Sequence, residues 1–171
     1  MAEQILLEYA HAMQAIAQPK QWGSHQPFGY LWRRAAGGRI PCLFEISIAL
    51  DVEGYTRKGW RVLVYYRRSP RGFHPDNFGA SLFIDNARVL AFDSGRPSRH
   101  RNTVGLGEPY YQKRVDHPHW HRPTQEASHG YVEPLDPALT QDQLWRLFLE
   151  RANIEGAPGF QPPPGEQGEL L

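Results

Sequence analysis

At 171 residues, with 40% hydrophobic and 12% aromatic residues, the chain has the size and apolar content of one globular domain, which argues against a disordered or low-complexity protein. One cysteine, Cys42, rules out an internal disulfide and the cysteine-based zinc motifs, and no apolar run approaches membrane-spanning length, so a cytoplasmic protein without a leader or membrane segment is expected. The net charge of +1 hides a basic middle, with 13 basic against 5 acidic residues over 57–122, and an acidic end, with 2 against 8 over 123–171.

Along the chain, Ile5, Leu6, Tyr9, Met13 and Ile16 recur near helical spacing, so residues 3–17 are expected as an amphipathic helix ended by Pro19. Phe28–Arg34 and Arg39–Ala49 flank Ala35-Ala36-Gly37-Gly38 and read as two strands around a glycine turn. Trp60–Arg68, rich in β-branched and aromatic residues, reads as a strand. Ser81–Ile84 and Arg88–Phe92 flank Asp85-Asn86-Ala87 as a second hairpin. Short strands are expected over Tyr110–Val115 and His117–His121. Thr140–Ile154 is the clearest helix: Thr140 stands at the N-cap, Asp142 lies in the first turn, and Leu144, Leu147, Phe148 and Ala152 form an apolar face joined by Trp145. The order predicts one α+β domain over residues 1–155, an antiparallel sheet flanked by an N-terminal and a C-terminal helix. Residues 156–171, with four Pro and four Gly, are expected as a flexible tail.

Five of the eight histidines, His100, His117, His119, His121 and His129, fall within 30 residues. On an extended strand alternate residues share a face, so His117, His119 and His121 would project to one side about 6.6 Å apart. Pro118 cannot donate to a strand ladder and points to an edge strand or a strand start. Imidazoles titrate near neutrality, so paired histidines can act as general base and general acid, with arginine stabilising charge on a phosphorus. The planar fork of Arg suits phosphate, and 16 of the 19 basic residues are Arg. This reading makes His119, His121, His100 and Asp93 the catalytic group and places Arg99, Arg101, Asn102 and Arg122 on the substrate, with RNA favoured and no cofactor required. A second chemistry uses two or three of His117, His119 and His121, together with Asp93, as ligands to Zn²⁺ or Fe²⁺. A third reading is non-catalytic: a bacterial or phage inhibitor whose basic face binds a nucleic-acid-handling partner. Nucleotide-driven motors, dinucleotide enzymes and HExxH metalloproteases are excluded by the lack of their motifs.

The stretch Leu90–Leu135 resembles TumE-like toxins and a neighbouring family of uncharacterised bacterial and phage domains. The features that carry the likeness are Ala91-Phe92-Asp93, His100 with Asn102, Pro118-His119-Trp120-His121, and Tyr131-Val132-Glu133-Pro134-Leu135. The helix from Phe148 to Asn153-Ile154 is similar to the one that closes the neighbouring family. The loop Gly95–Arg99 departs from the pattern, since those families place the histidine closer to the aspartate. The resemblance implies the toxin of a toxin–antitoxin pair, with an antitoxin as protein partner.

Overall fold

The structure, a computed structural model, describes residues 7–36 and 42–165. Helix α1 (Tyr9–Ala17) buries Ala12, Ala15 and Ile16, and Gln18 turns extended because Pro19 follows it. Then come β1 (Lys20–Trp22), the single turn α2 (Phe28–Leu31), β2 (Arg33–Arg34), β3 (Leu43–Val52), β4 (Tyr55–Arg67), β5 (Asn77–Ile84) and β6 (Ala87–Ser94). The pair β7 (His100–Arg101) and β8 (Arg114–Val115) precedes β9 (His119–Arg122), β10 (Tyr131–Pro134), α3 (Gln141–Ala152) and β11 (Ile154–Glu155). The main sheet runs β10-β9-β6-β5-β4-β3-β1-β11, with β2 also on β3, while β7 and β8 form a separate ribbon. All pairings are antiparallel except β1 with β11. The expected mixed architecture, a mostly antiparallel sheet with helices flanking it, is thus what the chain adopts.

Two turns carry much of the register. Glu53-Gly54 joins β3 to β4 and Asp85-Asn86 joins β5 to β6, all four at positive φ, as two-residue hairpin loops of matching twist require. Strand alternation then sorts the side chains. Phe44, Ile46, Leu50, Val62, Val64, Tyr66, Phe78, Ala80, Leu82, Leu90, Phe92 and Trp120 face a core completed by Ala12, Ile16, Leu144, Trp145, Phe148 and Ala152 of α1 and α3. Thr140 caps α3 in a full capping box with Gln143, and Asn153 ends it in the left-handed conformation. Lys20, fully buried, donates from Nζ to the carbonyls of Ile16 (2.8 Å) and Gln18 (2.6 Å) at the end of α1 and to that of Ala152 (2.9 Å) at the end of α3. Burial lowers its ammonium to about 8, which leaves it charged at neutral pH beside the negative ends of two helices.

Several elements differ from the sequence expectation. The N-terminal helix is helical from Tyr9, and residues 3–6 lie outside the described residues. Phe28–Arg34 is mostly a helical turn, because Pro27 sets the entry and Phe28 and Leu31, three apart, bury one side. Within Tyr110–Val115 only Arg114–Val115 is strand, since Gln112 adopts positive φ in a turn before it. The strand at the histidines starts at His119 rather than His117 and runs through Arg122. Tyr131–Pro134, not anticipated, pairs with it as β10. The described part of the expected tail, 156–165, packs on the core instead of hanging free. Phe160 lies 4.3 Å from Phe78 and 5.6 Å from Phe28 between ring centroids. The indoles of Trp145 and Trp32 donate to the Pro158 and Gln161 carbonyls, and Arg68 donates to that of Pro163. A proline-rich run keeps its carbonyls free as acceptors, and one aromatic residue anchors it.

Candidate active site

The sheet face opposite the helices holds the site. Register across β4, β5, β6 and β9 puts Tyr65, Gly79, Asp93 and His119 in one row, because Tyr65 pairs with Gly79, Gly79 with Asp93 and Asp93 with His119. Tyr65 leans across Gly79 and donates from its hydroxyl to Asp93 Oδ1 at 2.8 Å. A side chain at 79 would collide with the Tyr65 ring and with the Phe92 carbonyl, 2.6 Å from an added Cβ. Burial, reinforced by the Asp93 charge, pushes the Tyr65 phenol far up, so it stays a neutral donor.

Arg88 reaches this face by a bulge. Leu82 pairs with Leu90 but Phe83 pairs with Arg88, so Val89 is the extra residue in β6. Plain alternation would point Arg88 into the core beside Leu90 and Phe92. The bulge turns it to the side of Asp93, where Nε donates to Ser81 Oγ (3.0 Å) and Nη2 to Asp93 Oδ2 (3.4 Å).

On β9, Trp120 faces the core while His119 and His121, 2% and 7% exposed, face Asp93. His121 Nε2 lies 2.7 Å from Asp93 Oδ2 and His119 Nε2 lies 3.6 Å from it. Burial alone would raise the Asp93 carboxyl, but the two imidazoles and the Arg88 charge hold it well below the usual carboxylate range. Burial also depresses His121 to about 4 despite the pull of Asp93. At neutral pH His121 is therefore uncharged, donates through Nε2 to the carboxylate and keeps its lone pair on Nδ1. His119 Nδ1 is buried without a hydrogen-bond partner among the described residues.

Two further histidines, His100 and His117, lie against this group. The His100 centroid is 5.7 Å from that of His119 and 5.8 Å from that of His121, and its Nε2 lies 3.1 Å from the Gly130 carbonyl. His117 lies off the strand, its ring 4.6 Å from that of His119 and its Nδ1 against the Arg96 carbonyl. His129, half-buried, is lowered first by burial and then by the Arg88 charge. Asp93, His119 and His121 offer ligand atoms within 4.8 Å of one another, a buried group able to hold a metal ion. Of the expected ligands this group brings together Asp93 and two of the three histidines; His117 stays outside it, because β9 begins after Pro118.

The four expected substrate contacts divide in two. Arg99 and Arg101 are exposed beside the site. Asn102 is fully buried and unavailable to substrate: it donates to the Tyr110 and Val132 carbonyls and accepts from the Val132 amide, pinning the ribbon to β10. Arg122 is likewise spent, held by Glu108 and Glu133 over the ring of Tyr131. Tyr65, Gly79, Ser81 and Arg88 were not anticipated; the one local signal was a lone glycine inside an apolar strand.

Compared with family models, curated proteins and solved structures, the chain matches none of them. Among the described residues no helix is long and apolar enough to cross a membrane.

Proposed function

We propose that the chain is a toxin-like nuclease that cleaves RNA at the Asp93–His121–His119 cluster. The observation that carries this reading is the carboxylate hub: Asp93, ionised and backed by Tyr65, orients a neutral His121 and holds Arg88 beside it. In the reaction His121 Nδ1 takes the proton of the attacking 2′-hydroxyl, whose oxygen bonds to phosphorus as the 5′-oxygen leaves. His119 supplies the proton to the leaving oxygen. Arg88 meets the charge that develops on the phosphoryl oxygens, and Arg99 and Arg101 lie where flanking phosphates would pass. Asp93 fixes the tautomer that makes His121 a base, as the carboxylate of a catalytic triad does. The resemblance to TumE-like toxins supports the same class and adds an antitoxin as partner.

A second reading is favoured by the grouping of three ligand atoms: Asp93, His119 and His121 holding Zn²⁺ or Fe²⁺, which would supply Lewis-acid chemistry when bound. A single assay separates the two. Purified protein is incubated with end-labelled single-stranded RNA, with and without chelator, alongside His121→Asn. Cleavage that ignores chelator and falls at least a hundredfold in the variant supports the acid–base site. Cleavage that chelator abolishes and added Zn²⁺ or Fe²⁺ restores supports the metal. No cleavage with or without either metal, or growth arrest on expression that survives His121→Asn, refutes the nuclease.

A further inference from the structure

The β7–β8 ribbon and the residues that enter it carry four cations, two of which, Lys113 and Arg114, the chemistry above leaves unused. Arg99, Arg101, Lys113 and Arg114 are all exposed, and Arg101 stands directly opposite Arg114 in the ladder. Among the described residues none of the four has a carboxylate within ion-pair distance. Like charges placed opposite each other destabilise a strand pair, and a two-stranded ribbon has little stability of its own. This one is held from beneath. Asn102 donates its amide N–H to the Lys113 carbonyl, accepts the Gln112 amide on its own carbonyl, and locks to β10 through its side chain. The backbone that carries the cations is therefore fixed, and their mutual repulsion persists until an anion arrives. Alternation gives the ribbon a second side: His100 and Val115 form the other cross-strand pair, and the His100 ring lies 5.7 Å from that of His119.

We propose that this ribbon is the docking surface for the phosphodiester backbone of single-stranded RNA, leading the strand past His100 to the histidine cluster. RNA as the ligand rests on the function proposed above. The pattern fits a polyanion with regularly spaced charges better than one bound phosphate, because the four cations are spread along both arms of the ribbon, Arg101 and Arg114 on its strands and Arg99 and Lys113 just before them.

The test is equilibrium binding of a fluorescent oligouridylate to the full chain in chelator, followed by anisotropy across a salt series. Wild type, Arg101→Gln/Arg114→Gln, Lys113→Glu and, as a control on the far side, Arg146→Glu are compared. The paired substitution should weaken binding about tenfold and flatten the log–log salt slope by about 1.4, that is, by two single-strand phosphate contacts. Lys113→Glu should also weaken binding, while Arg146→Glu should bind like wild type. Absence of wild-type binding at low salt, or an unchanged constant and slope in the paired variant, overturns the proposal. Polyglutamate displacing the oligonucleotide at equal charge concentration also overturns it, in favour of an acidic protein. Failure of the chemistry shows separately: ribbon-dependent binding without any cleavage sinks the nuclease and leaves the ribbon standing.

Discussion

Acidification should unfold this protein through its buried imidazoles, and the size of the effect follows from the site. His121 has a folded pKa of about 4 and an ordinary value of 6.5. Between those values the unfolded chain takes up a proton that the folded protein refuses, so stability falls as pH drops through 6.5 and this loss levels off below about 4. The full difference corresponds to about 3 kcal/mol, of which about 2 kcal/mol is lost by pH 5. His117 and His129, both held below their ordinary value by burial, add in the same direction. Asp93, held low, stabilises the fold above the unfolded carboxyl value and adds a further loss at more acid pH. Urea unfolding in chelator at a series of pH values, for wild type and His121→Asn, measures this directly. At this chain length the loss should appear as a midpoint drop of about 4–8 °C between neutrality and pH 5 in a thermal scan. A wild-type curve that is flat from pH 7 to pH 5, or a variant with the wild-type pH slope, would refute the reasoning.

Three other outcomes follow from particular contacts. Gly79→Ala forces a Cβ against Tyr65 and the Phe92 carbonyl, and calorimetry should show a loss of about 1–3 kcal/mol; an unchanged midpoint would mean that the row relaxes freely. Asn102→Ala strips partners from the Val132 amide and two carbonyls, so about 3 kcal/mol should go, and hydrogen exchange at Val132 should accelerate. Phe160→Ala, on a half-buried ring that touches Phe78, should cost about 2 kcal/mol in urea; a neutral result would show that 156–165 contributes nothing to the core.

What could be read from the sequence was whatever depends on neighbours in the chain. The β5–β6 hairpin announces itself through Asp85-Asn86 between apolar runs, and α3 through Thr140, Asp142 and its apolar stripe. His119 and His121 share a face because they stand two apart on a strand, and Asp93 enters at the end of its own strand. What could not be read depends on register between strands. Tyr65 and Gly79 meet Asp93 only because three strands align, 28 positions separating Tyr65 from Asp93. Arg88 joins them only because Val89 is bulged, and a bulge leaves no periodic trace in one chain. Asn102 and Arg122 look like ligand-binding residues by type, yet their partners, Val132, Glu108 and Glu133, lie on other segments and use them for structure. The proline-rich end misleads for a related reason: its composition says flexible, and a single Phe160 seated on Phe78 decides otherwise.

Lys20 has a consequence for the order in which the fold can close. Its ammonium joins the end of α1 to the end of α3, partners 132 positions apart, and the neighbouring β1 pairs in parallel with β11 over the same span. On a ribosome the hairpins from β3 to β6 can form as they emerge, since each strand pairs with the next. The seam at Lys20 cannot, because one side of it is synthesised 132 residues after the other. Until then the lysine ammonium has only its local carbonyls, those of Ile16 and Gln18, and one edge of β1 faces water. Closure of this seam is thus a long-range event, the kind of contact that forms slowly and leaves a partly built sheet exposed in the meantime.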